Sequence, residues 1–142
     1  MPASAAGKKS WLEFDAVSRT AEVWLNGKRL GEHRGGFTRF RFDITDVVRQ
    51  QGANILVVKA DNSHPSFSSS TADSLPLAGD FFVHGGIYRP VRLMITDQIH
   101  FDLLDAGGPG VYASTTQLSE DTAEITIRSR IKNDATAAKQ VK

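Results

Sequence analysis

The sequence predicts an all-β protein. Short runs in which apolar and polar residues alternate recur along the chain, an Asn26-Gly27 dipeptide joins two of them, and no long helix-period stretch occurs. Asn-Gly supplies the two positive-φ positions of a tight type I′ turn, so Thr20–Leu25 and Lys28–Glu32 are expected to form a hairpin.

The other elements follow in order. From Leu12 to Val17 the chain alternates, with Leu12, Phe14 and Ala16 on one face. A strand is expected over Phe37–Asp43, after the Gly35-Gly36 pair. Ile44–Arg49 reads as a short helical turn with Thr45 as its cap. Asn54–Ala60 is almost continuously apolar, the pattern of a central strand covered on both faces. The pattern breaks between Asp61 and Gly86, where serines, Pro65, Pro76 and Gly79 intervene, and a stretch of this length suggests a binding loop. Ile87–Ile95 resumes as a strand, and Pro90, having no amide proton, puts that strand at an edge or on a bulge. A second unit begins after Asp97. It holds a short β segment at His100–Leu103, a Gly107–Gly110 turn, a strand from Val111, and the alternation Ala123–Lys132. There Ile125, Ile127 and Ile131 are expected to face a core, and Thr126, Arg128, Arg130 and Lys132 to face water.

Composition narrows the function. The chain has 142 residues, 17 basic and 16 acidic, and a net charge of +1. With charges so balanced and no basic stripe, nucleic acid is not an expected partner. There is no cysteine, so disulfides, thiolate nucleophiles and Cys-ligated zinc are excluded. The four histidines, His33, His64, His84 and His100, lack the short spacings of a metal site, and no metal or other cofactor is expected. No apolar run reaches the ~20 residues of a membrane helix, and the Ala-rich start has no apolar core ahead of it, so it does not read as a signal peptide. Neither observation fixes a compartment.

Six segments carry a resemblance: Leu12–Val17, Val23–Gly31, Gly35–Phe40, Phe42–Val48, Asn54–Lys59, and Gly85-Gly86-Ile87-Tyr88-Arg89-Pro90-Val91. In this order they resemble the N-terminal sugar-binding domain of glycoside hydrolase family two, which contains β-galactosidase, β-glucuronidase and β-mannosidase. The resemblance implies a jelly-roll, galactose-binding-like β-sandwich over residues 8–96 that lacks its first strands. It also implies that residues 97–142 are the opening strands of an immunoglobulin-like sandwich, with 1–7 either a loop start or a segment foreign to the domain. The implied parent is a retaining exo-β-glycosidase, a β-galactosidase first of all. Its two catalytic glutamates would lie on a (β/α)₈ barrel outside this chain, so the chain alone is expected to be inactive. Its partners would be a terminal β-glycoside and the missing barrel and flanking domains.

The carboxylates fit that expectation. Glycoside hydrolysis needs two, flanking the scissile bond. The five glutamates, Glu13, Glu22, Glu32, Glu120 and Glu124, all read as surface positions on strands or turns. Asp80 differs. It stands six residues before Gly86 and nine before Arg89, where the resemblance implies an acidic residue that accepts hydrogen bonds from hydroxyls of the terminal sugar. Capping a turn after Gly79 is the other reading of Asp80. Phe81 and Phe82 are placed to stack on a sugar, and His84 either lines the same site or is solvated. Asn26, Gly27, Gly85, Gly86 and Arg89 read as structural, Arg89 through an ion pair or a backbone carbonyl. Trp11 and Trp24 read as packing residues. Two other functions stay open: a free-standing carbohydrate-binding module, and a structural sandwich with no ligand.

Overall fold

The computed structural model describes residues 1–64, 71–72 and 84–140. It is all-β, apart from one 3₁₀ turn at Ala3–Ala5. The chain forms two compact units, Met1–Ile95 and Thr96–Lys142.

In the first unit, β1 (Lys9–Phe14) is the middle strand of a three-stranded sheet, between β5 (Phe40–Asp43) and β8 (Val91–Thr96). A second sheet has β3 (Thr20–Leu25) between β4 (Lys28–Arg34) and β6 (Leu56–Asp61). A two-residue ladder joins β2 (Val17–Ser18) to β7 (Gly86–Ile87). The core lies between the inward faces of the two larger sheets. Leu12, Phe14 and Phe40 come from one, and Ala21, Val23 and Leu25 from the other, with Val17 and Ile44 joining the same cluster. Phe14 and Phe40 are cross-strand partners with ring centroids 4.8 Å apart, and His33 stacks on Phe40 at 4.2 Å.

The hairpin forms as the sequence predicts, with Asn26 at φ 52° and Gly27 at φ 83°. Asn26 does more than turn the chain. Its side-chain amide donates to the Val47 carbonyl (3.0 Å) and to Asn54 Oδ1 (2.8 Å), and its Oδ1 accepts from the Ile55 amide (3.0 Å). On β4 the register slips between Val23 and Trp24, and Gly31 takes φ 154°. A Cβ on Gly31 would lie 2.8 Å from Phe42 Cε1, so glycine is needed there for both conformation and space.

Four expectations are corrected. The strand at Phe37–Asp43 is shorter, Phe40–Asp43, and Phe37 is exposed. The turn after it, closed by Val47 and Val48 amides on the Ile44 carbonyl, is capped by Asp43 and not by Thr45. Asp43 Oδ1 accepts the Thr45 amide (3.0 Å) and hydroxyl (2.6 Å), which leaves that hydroxyl to accept from the Ser10 amide (3.0 Å). β6 is an edge strand among the described residues, and Ile55 just before it is 64% exposed. Its apolar run therefore did not report burial on both faces.

The fourth correction lies in the second unit. There β10 (Val111–Leu118) pairs with β11 (Ala123–Ser129), and β12 (Ile131–Asn133) pairs with β9 (Ile99–Phe101). The Ala123–Lys132 alternation is two strands, because at Arg130 the backbone leaves one ladder for the other: its amide bonds the Gly110 carbonyl and its carbonyl accepts from Asp102. The face expected to be buried is open, with Ile127 70% exposed. Asp105 fixes the adjoining loop by accepting from the Tyr112 hydroxyl (2.6 Å) and from Arg130 (2.8 Å). A mainly apolar hollow of about 580 Å³ lies within this unit, against Ile99, Phe101, Leu103, Pro109 and Ile131.

Candidate functional site

One end of the first unit gathers the residues that flank the long inter-strand stretch. Ser18 and Arg19 hold both of its roots. Ser18 pairs with Gly86 across the β2–β7 ladder. The Arg19 amide donates to the Asp61 carbonyl (3.0 Å), and its guanidinium reaches the Ser63 carbonyl (3.2 Å). Thr71, fully buried, donates its hydroxyl to the same Ser63 carbonyl (3.0 Å). Asp61 Oδ1 accepts the Ser63 amide (2.9 Å), closing a local turn. Two buried donors on one carbonyl make this root a fixed point, because a buried guanidinium is tolerated only when its protons find acceptors.

On the outgoing side, the Tyr88 hydroxyl bonds the Gly36 carbonyl and Arg89 reaches the Phe37 carbonyl (3.4 Å). The Arg89 guanidinium also lies 5.4 Å from the Tyr88 ring centroid. The Pro90 carbonyl accepts the Asp15 amide (3.1 Å), and β8 starts at the next residue as an edge strand among those described, which is where a residue without an amide proton fits. His84 is exposed. Gly86 has φ 82°, a conformation that suits glycine. Asp80, Phe81 and Phe82 lie outside the described residues. Trp11 is fully buried, as a packing residue should be, and Trp24 is partly buried.

A cluster of charged side chains lies on the outer face of the β5–β1–β8 sheet, and it corrects the reading of Glu13 as a surface carboxylate. Glu13 is 4% exposed. It accepts from Arg41, its cross-strand partner, at 2.6 Å and from Arg92 at 3.2 Å. Asp15 accepts from Arg39 (2.9 Å) and from Arg92. The Arg92 hydrogen bond, aided by Arg39 and opposed by burial, holds the Asp15 carboxyl below the usual carboxylate range. The oxygens of both carboxylates are taken up by three guanidiniums, so the cluster reads as structural. Strand alternation placed Glu13 on the outward face, and nothing in the pattern revealed that arginines cover that face. Arg19 and Thr71 were missed for the same reason: a buried arginine and a buried threonine look like surface ones in a sequence. Among the described residues no group of three His, Cys, Asp or Glu side chains could hold a metal ion.

The fold and site so far define a class: a β-sandwich in which one long inter-strand segment is tethered at both roots to a single end. Comparison with known proteins makes the assignment specific. The model for the glycosyl hydrolases family 2 sugar-binding domain matches residues 1–97, and the chain belongs to that family. It is 41% identical over 138 residues to a β-glucuronidase of Bacteroides fragilis, covering 95% of this chain and 19% of that protein. To a β-galactosidase of Thermoanaerobacter pseudethanolicus it is 34% identical over 129 residues, 88% of this chain and 16% of that one. The crystal structure of Bacteroides uniformis β-glucuronidase superposes with a TM-score of 0.84 at 38% identity, over 95% of this chain and 15% of that one. The chain therefore spans less than a fifth of the length of these relatives.

Proposed function

We propose that this chain is the sugar-binding sandwich of an exo-acting family 2 β-glycosidase, with residues 8–96 as that domain and 97–142 as the start of an immunoglobulin-like one. The observation that carries the reading is continuity: similarity to complete glycosidases runs through both units, across 95% of the chain. In this reading the sandwich forms one wall of an active site whose two glutamates belong to a barrel elsewhere in the longer protein. Asp80 accepts hydrogen bonds from hydroxyls of the terminal sugar, with Phe81, Phe82 and His84 beside it. Support for Asp80 is positional: it precedes Gly85–Arg89, whose anchoring to Gly36 and Phe37 holds one root of the segment.

The sequence alone favoured a β-galactosidase. The higher identities to proteins named β-glucuronidase make a terminal β-glucuronide the first substrate to test, and the β-galactosidase relative makes a β-galactoside the second. The test is hydrolysis of p-nitrophenyl β-D-glucuronide and β-D-galactoside by the product of the complete reading frame that encodes this chain. Cleavage of one supports the proposal and names the sugar; cleavage of neither overturns it. Asp80→Ala should then lower kcat/KM by roughly 10- to 100-fold, the worth of a charge-assisted hydrogen bond. Unchanged kinetics would remove Asp80 from the site. Saturable binding of either sugar by the 142-residue chain alone would favour a self-sufficient binding module instead.

A further inference from the structure

Asn62 joins a fixed backbone to an uncommitted side chain. Its neighbours on both sides are anchored: the Asp61 carbonyl accepts from the Arg19 amide (3.0 Å) and the Thr20 hydroxyl (3.4 Å), and the Ser63 carbonyl accepts from Arg19 and Thr71. The Asn62 side chain is exposed and makes no hydrogen bond among the described residues. It lies against Gly85. A Cβ built on Gly85 would fall 2.1 Å from Asn62 Nδ2 and 2.6 Å from its Cγ, so the amide occupies the space a side chain there would need. Gly85 does not have positive φ, and so its lack of a side chain serves the packing of Asn62 rather than a turn.

We propose that Asn62 is a specificity-determining residue of the glycosidase, a second sugar contact on the sandwich at the root of the segment that carries Asp80. The assignment rests on the functional reading above and extends it. An amide carries a donor and an acceptor side by side, and two neighbouring hydroxyls of a pyranose ring offer the complementary pair. The missing side chain at Gly85 leaves the room that the Asn62 amide occupies, on a backbone fixed through Asp61 and Ser63.

The experiment uses the full-length enzyme and whichever p-nitrophenyl glycoside it cleaves. Asn62→Ala should raise KM roughly five- to tenfold, the worth of one or two neutral hydrogen bonds, with kcat and Tm little changed. Gly85→Ala should raise KM similarly by displacing the amide, and the double variant should be no worse than Gly85→Ala alone. The Asn62→Ala effect should also vanish with the monodeoxy glycoside that lacks the contacted hydroxyl. An unchanged KM in Asn62→Ala overturns the proposal, whether or not Tm falls. Additive losses in the double variant overturn it too, since they separate Gly85 from Asn62. A wild-type enzyme inactive on both glycosides overturns the functional reading itself, and the Asn62 assignment with it.

Discussion

Strands β1 and β11 look alike as sequences and end in opposite environments. Lys9–Phe14 and Ala123–Ser129 both alternate, yet β1 is buried on both faces from Ser10 onward, while every residue of β11 is exposed. The difference lies in what surrounds each strand. β1 has a strand on either side, a second sheet facing Leu12 and Phe14, and arginines around Glu13. Among the described residues β11 has one partner, β10. Alternation thus states which residues share a face. Whether that face is covered depends on residues far away in the chain.

Mutation can break that contrast. The largest effect is expected at Phe14, where Phe14→Ala should destabilise the first unit by about 3–5 kcal/mol in urea unfolding, as the Phe40 and His33 stack loses its support. Ile127→Ala on β11 should change stability by less than about 0.5 kcal/mol. A cost above that would show the β11 face to be covered, and the contrast would fail. Comparable to Phe14 is Glu13→Ala, at about 3–5 kcal/mol, because it removes the carboxylate that the buried Arg41 guanidinium meets at 2.6 Å. Glu13→Gln should cost less than the alanine, since the amide oxygen still accepts.

A smaller loss, about 1–3 kcal/mol, is expected for Gly31→Ala, from its φ of 154° and the clash with Phe42. Combining it with Phe42→Leu should recover part of that loss. Full recovery would mean that space alone, and not backbone conformation, demands glycine.

The smallest effects concern acid pH, in the first unit. Burial pushes the Asp43 carboxyl up, but Lys9 and the Thr45 hydroxyl and amide pull it further down, so its folded pKa lies below the ordinary value. The stabilisation this gives is present above the unfolded value, about 4, and is lost as pH falls through the folded pKa. His33 is depressed by burial, against an opposing backbone contact at Gly35. The folded state therefore takes up its proton later than the unfolded chain, so stability declines as pH falls below about 6.5. His33→Gln should flatten the upper part of the acid profile, and Lys9→Met the lower part. A profile identical to wild type in both variants would assign the acid sensitivity elsewhere.

Local chemistry made much of this legible beforehand. Asn26-Gly27 fixed the hairpin, since few dipeptides accept two positive φ values, and the aromatic alternation around Phe14 and Phe40 located the core. Six motifs in order were enough for the family. What escaped had partners far off in sequence: Arg41 for Glu13, Ser63 for Arg19, and Gly85 for Asn62. Asp43 displaced Thr45 as the cap because Ser10, 35 residues away, engages the threonine hydroxyl. The apolar run at 54–60 misled for a related reason, as apolar character marks a face fit for burial and not one already buried.

The hairpin turn also bears on how the protein ages. An asparagine followed by glycine is prone to lose its amide nitrogen through a cyclic imide, because the glycine leaves its own backbone nitrogen free to attack. At Asn26 that nitrogen is the donor to Val47 and Asn54, so deamidation would set a carboxylate oxygen against two oxygens that cannot give it a proton. The same two contacts hold the amide in place and hinder the cyclisation. Stored material should therefore acquire this lesion slowly while folded, and once it is acquired, refolding should be impaired at the point where three segments of the chain meet.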